Sequence, residues 1–101
     1  MGKFANLSTT EAMLRVTVAA LMRATGENQT ELARGLRLTQ GQVSRKQTGA
    51  AAWSLGDVDK LSTHYGIPVP DLLRGPTYAV EQLSYARRAA MIGGSQGVIA
   101  V

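Results

Sequence analysis

Apolar residues recur at helical spacing along this chain and nowhere alternate for long as a strand would require. Leu14, Val18, Leu21 and Met22 follow the i, i+4, i+7, i+8 rule of one buried helix face. Ser8-Thr9-Thr10-Glu11 precedes them as a capping box, in which Ser8 caps the helix and Glu11 reaches back to its backbone. A first helix is expected over 9–24, ended by Gly26, with residues 1–7 as a short arm. Asn28-Gln29-Thr30-Glu31 repeats the capping logic and opens a second helix over 29–35, with Leu32, Ala33 and Leu36 facing inward. Thr39 caps a third helix over 40–48, whose inward anchor is Val43 and whose end is Gly49.

Ser54-Leu55-Gly56-Asp57 opens a fourth helix that reaches Tyr65. Its apolar face is expected to be Leu55, Val58, Leu61 and Tyr65, with Trp53 plugging the core beside it. Pro70 suits the first position of a fifth helix over 70–74. Gly75-Pro76 breaks the chain, Thr77 caps a sixth helix over 78–91, and the glycine-rich stretch 93–97 reads as a flexible tail. The fold class is therefore all-α, a compact bundle of five to six short helices. Residues 1–75 are expected to form the main domain, and 76–101 a C-terminal helix and tail.

Composition narrows the function classes. A chain of 101 residues with 45% hydrophobic content is one domain with a modest core. The net charge of +4 is uneven: residues 1–50 carry seven Lys or Arg against three Glu, and residues 51–101 carry four against four acids. That asymmetry suits a polyanion partner. The absence of cysteine excludes disulfides and cysteine-ligated zinc. No apolar run approaches the ~18–20 residues of a membrane span, and the N-terminus has no signal layout, so a cytoplasmic, nucleoid-associated protein is expected. His64 is the sole histidine and has no catalytic or metal-binding companions in the sequence; a structural role is expected. The stretch 93–97 lacks the lysine of a phosphate loop. No enzyme activity, cofactor, metal or small-molecule ligand is expected.

The chemistry concentrates in 29–49, QTELARGLRLTQGQVSRKQTG. Amide and guanidinium side chains on one short helix are the groups that make paired hydrogen bonds to base edges in the DNA major groove. No carboxylate lies between Glu31 and Asp57 to repel phosphate. The order of Gln29, Leu32-Ala33, Leu38, Val43-Ser44-Arg45, Gly49, Ser54-Leu55, Leu61, Tyr65-Gly66-Ile67 and Asp71-Leu72 resembles the Cro and lambda-repressor family of helix-turn-helix proteins. The resemblance covers about half the chain, Gly26 to Leu73, without a gap. Two positions depart from the family pattern. Arg37 stands where the turn usually has glycine, and Lys46 where an apolar residue is usual.

The resemblance implies that Gln40, Gln42 and Arg45 read bases, Gln pairing with adenine and Arg with guanine. It implies phosphate contacts from Asn28, Gln29, Arg37, Ser44, Lys46 and Thr48, which set register rather than sequence choice. Gln29 lies at a helix N-terminus, where backbone N–H groups and the dipole favour an anion. Asn28 also serves as a helix cap, and the Lys46 stem is expected along the core with its amine at the phosphates or with Trp53 covering the gap.

The leading expectation is a sequence-specific transcriptional repressor on a double-stranded DNA operator, resembling a short phage immunity (lysogeny) repressor or Cro-like regulator. Tyr78, Val80, Leu83, Ala86, Ala90 and Met91 form an apolar side of the last helix that either packs back on the first and fifth helices or in part pairs two subunits. Dimerisation on DNA through this helix goes with the leading expectation, while Arg87-Arg88 offers phosphate contacts instead. Ending soon after this domain, the chain is not expected to undergo induction by self-cleavage. Two alternatives stay open: an antitoxin whose residues 77–101 block a toxin, and a protein-interaction adaptor on the same fold.

Overall fold

The computed structural model describes residues 8–83. They form six helices: α1 Thr9–Thr25, α2 Gln29–Leu36, α3 Gln40–Thr48, α4 Leu55–Tyr65, α5 Val69–Leu72 and α6 Pro76–Glu81. No strand occurs among the described residues, and the class is all-α as expected.

Polar side chains set the starts of the first four helices. Asn28 accepts from the Glu31 amide at 2.8 Å while Glu31 accepts from the Asn28 amide at 2.9 Å. Thr39 with Gln42, and Ser54 with Asp57, repeat this reciprocal box. Each pair satisfies amides that no helical carbonyl can reach. The expected box at α1 is only half made. Ser8 Oγ accepts from the Glu11 amide, but Glu11 Oε1 is buried without a hydrogen-bond partner instead of reaching back.

Gly26, Gly49 and Gly66 end α1, α3 and α4 in the left-handed region. α2 ends on Arg37, at φ 59° and ψ 40°, with its amide donating to Ala33 and Arg34 carbonyls. Arg37 thus takes the conformation its glycine-like position demands, at a cost of ~1–2 kcal/mol for a residue with a Cβ.

The core is one cluster. Leu14, Val18 and Leu21 of α1 meet Leu32 and Leu36 of α2, Val43 of α3, Val58, Leu61 and Tyr65 of α4, and then Ile67 and Leu72. Trp53 is buried as expected. Leu55 is not part of the apolar face: it is 85% exposed. As the first residue of α4 it leans toward the helix N-terminus, as every helical Cα–Cβ bond does, and so extends past the packed surface.

The last two helices differ from the expected boundaries. α5 begins at Val69, with Pro68 before it and Pro70 inside the first turn, where a missing N–H costs nothing. α6 begins at Pro76 rather than after Thr77. Gly75 at φ 110° turns the chain, and proline's fixed φ suits the first helical position. α6 ends at Glu81. Gln82 and Leu83, expected within that helix, lie past its end as a turn, and the remainder, with Ala86, Ala90, Met91 and Arg87-Arg88, lies outside the described residues, as do the arm at 1–7 and the stretch 93–97. α6 packs against α1, with Ala79 and Leu83 buried in the shared core. Arg74 stacks on the Tyr78 ring at 4.1 Å across the turn between α5 and α6.

Candidate nucleic-acid interface

α2 and α3 cross closely because Ala33 is small and buried at their junction. The Leu38 amide donates to the Ala33 carbonyl at 2.9 Å and closes the turn between them. Both helices thereby present their first turns together. Gln29 is the first residue of α2 and Gln40 the first of α3. Gln40 Nε2 donates to Gln29 Oε1 at 2.7 Å, bridging the two N-termini. Two helix N-termini side by side are a favourable place for phosphate or other anions.

The other expected base readers take different positions. Gln42 Oε1 accepts from the Thr39 amide at 2.8 Å, so its carbonyl is engaged in capping α3 and its amide nitrogen is the outward group. Arg45 is exposed, shares a face with Gln42 one turn away, and makes no ion pair among the described residues.

The expected phosphate contacts divide into three groups. Asn28, Gln29, Ser44 and Thr48 lie on or beside the two helices, with Asn28 occupied as a cap and Thr48 Oγ1 donating to the Arg45 carbonyl at 3.2 Å. Arg37 is exposed at the far end of α2. Lys46 turns inward. Its Nζ lies 2.7 Å from Asp57 Oδ2, donates to the Ala52 carbonyl at 3.0 Å, and sits 5.8 Å from the centre of the Trp53 ring. The expectation that its stem follows the core is met, but its amine is on Asp57. Burial opposes ionisation of Asp57, yet the Lys46 ammonium and the Ser54 amide and hydroxyl outweigh it, holding the carboxyl below its ordinary value.

Two residues that the sequence did not single out turn out to organise the site. Gln47 Nε2 donates to the Arg15 carbonyl of α1 at 3.0 Å, and Gln47 Oε1 accepts from Trp53 Nε1 at 2.9 Å. A buried indole N–H requires an acceptor, and that requirement was the one available signal for Gln47. Glu27 accepts from the Tyr65 hydroxyl at 2.6 Å and pairs with His64 Nε2 at 2.6 Å. This clasp ties the link between α1 and α2 to the end of α4. The His64 ring lies over Gly35, where a Cβ would come within 2.4 Å of it. His64 is thus a packing and clasp residue, as expected of a histidine without catalytic companions.

The molecule is therefore a small helical bundle that exposes a polar helix pair, and α3 within that pair carries no carboxylate. The family profile of the BetR domain matches residues 9–87. The chain belongs to the BetR domain family. As a BetR domain it is a small helical domain of DNA-binding-like type, and a helical DNA-binding regulator is the class that this membership suggests. No curated protein and no solved structure matches the chain. Among the described residues of this BetR domain, no helix is long and apolar enough to cross a membrane, and no group of three His, Cys, Asp or Glu is arranged to hold a metal.

Proposed function

We propose that this BetR domain protein is a sequence-specific transcriptional repressor that inserts α3 into the major groove of a double-stranded DNA operator. The single observation that carries this reading is the Gln40–Gln29 bond across the two helix N-termini, beside an exposed Arg45 on a helix without carboxylates. One N–H of Gln40 is used by Gln29. Its second N–H and its carbonyl remain, and these are the two groups that pair with adenine N7 and N6. Gln42 keeps an amide donor for a base acceptor, and Arg45 pairs with guanine O6 and N7. Asn28, Gln29, Arg37, Ser44 and Thr48 hold the backbone. The protein works by occupying a promoter and carries out no catalytic step, with no cofactor or metal.

Among such regulators, a phage immunity (lysogeny) repressor or Cro-like switch acting on the nucleoid in the cytoplasm is the reading that its helix order favours. It binds as a homodimer on an inverted repeat, since modules of this geometry meet half-sites about one DNA turn (~34 Å) apart. The test is selection of bound sequences from a random duplex pool at ~150 mM salt, where specific binding is typically ~10³–10⁷ tighter than non-specific. The expected result is one enriched inverted repeat. Failure to enrich any sequence would overturn the reading in favour of an adaptor, or of an antitoxin if a second small protein restores selective binding.

A further inference from the structure

α3 reaches the core through one buried apolar side chain, Val43. A single valine holds the helix against the bundle but leaves its tilt and roll weakly determined. Two further tethers come from the adjacent positions 46 and 47. Consecutive helical residues point ~100° apart around the axis. The two tethers accordingly run in different directions. Gln47 reaches the Arg15 carbonyl of α1 and the Trp53 indole. Lys46 reaches the Ala52 carbonyl and the Asp57 carboxylate at the start of α4. The Ala51 amide donates to the Arg45 carbonyl at 3.0 Å and joins the same corner. Arg45 is the residue immediately before this pair, so its position depends on them.

We propose that Lys46, Gln47, Trp53 and Asp57 form a polar brace that fixes the angle of α3 and thereby sets its sequence discrimination. They are positioning residues, and Lys46 belongs to the brace rather than to the phosphate contacts. The inference rests on the DNA-binding reading above. Its physical basis is the difference between the two kinds of contact. Paired hydrogen bonds to base edges require placement within about 0.5 Å and ~10–20°, whereas phosphate contacts through long side chains follow a small rotation of the helix. Loosening the brace therefore reduces operator affinity while leaving non-specific affinity in place.

The test uses Asp57→Asn and Trp53→Phe in the full chain. Both residues are buried, so neither substituted side chain itself lies on the exposed face of α3. The asparagine side chain keeps an oxygen for the Ser54 amide, and the phenylalanine ring keeps an aromatic plug. Affinity is measured for the selected operator and for unrelated duplex across a salt series. Each variant is expected to lower the ratio of the two affinities about threefold to tenfold, the usual scale for one member of a coupled network, with the salt slope on unrelated duplex unchanged. Lys46→Met should match Asp57→Asn, and the double variant should add little to either. An unchanged ratio in Asp57→Asn and Trp53→Phe overturns the brace. So does a Lys46→Met variant that flattens the salt slope by about one phosphate contact and weakens all sequences equally.

Amide hydrogen exchange without DNA separates failure of the brace from failure of the DNA reading. In the two variants, α3 amides should exchange about tenfold faster relative to those of α2, as expected when a local unit loses its tethers. If the wild-type protein selects no DNA sequence but α3 loosens as stated, the DNA reading fails and the brace stands as the element fixing α3. If α3 exchanges as in the wild type, the brace itself is wrong.

Discussion

α2 and α3 are neighbours of similar length held in place by opposite means. α2 buries Leu32, Ala33 and Leu36 and is further secured by the Glu27 clasp at its entry. α3 buries Val43 alone and is otherwise fixed by hydrogen bonds and an ion pair from Lys46 and Gln47. On the proposed DNA-binding reading, the difference follows from what each surface is for: a helix kept polar for a partner has few positions left for the core, so its orientation passes to directional polar contacts. Apolar burial is the stronger and less directional force; hydrogen bonds are weaker but fix an angle.

The contrast is broken most severely on the apolar side. Leu32→Ala should destabilise the fold by ~2–5 kcal/mol, read by urea denaturation, because it opens a cavity at a fully buried site. Gly35→Ala comes next. The new methyl meets the His64 ring, and displacing the ring should cost ~1–3 kcal/mol in the same assay. A cost below the noise of the measurement would show that the ring swings away freely and that Gly35 is dispensable.

The polar side is tested by acid. Burial pushes the Asp57 carboxyl up, but Lys46 and the Ser54 cap outweigh it and hold the group below its ordinary 3.8 in the folded state. Its contribution to stability is therefore complete above that ordinary value and is lost as pH falls through the lower folded value. Asp57→Asn should reduce the slope of stability against pH in that acid window and leave the slope at neutral pH unchanged. An identical acid slope in both proteins would contradict the pairing.

The smallest effect is a gain. Arg37→Gly should raise stability by ~0.5–1 kcal/mol, the left-handed strain of ~1–2 kcal/mol relieved less the entropy that glycine loses on folding. A loss instead would mean that the Arg37 side chain makes contributions beyond its backbone angle.

The sequence was a good guide wherever structure is set locally. Caps at Asn28, Thr39 and Ser54, the glycine stops, the left-handed Arg37 and the buried faces of α1 and α2 all follow from short-range rules about orphan amides and helical periodicity. It was a poorer guide at Leu55, whose exposure depends on where the neighbouring helices end rather than on its spacing from Val58. The start of α6 was misread because Pro76 serves equally as a breaker and as a first helical residue. The Lys46–Asp57 pair and the Gln47–Trp53 bond were hidden for another reason. Each depends on the crossing of α3 with α1 and α4, a tertiary fact with no periodic trace. Of the candidate interface, the helix pair and its outward residues were legible; the way α3 is held in place was not.

Everything proposed for function depends on α3 reading base edges. The most direct check repeats the random-duplex selection with Arg45→Ala beside the wild type at the same salt. One inverted repeat is expected for the wild type. The variant should lose preference at a single base pair in each half-site, with a penalty of ~1–3 kcal/mol on the operator. An equal loss on every sequence would place Arg45 on phosphate, and a wild-type protein that enriches nothing would contradict base reading by α3 outright.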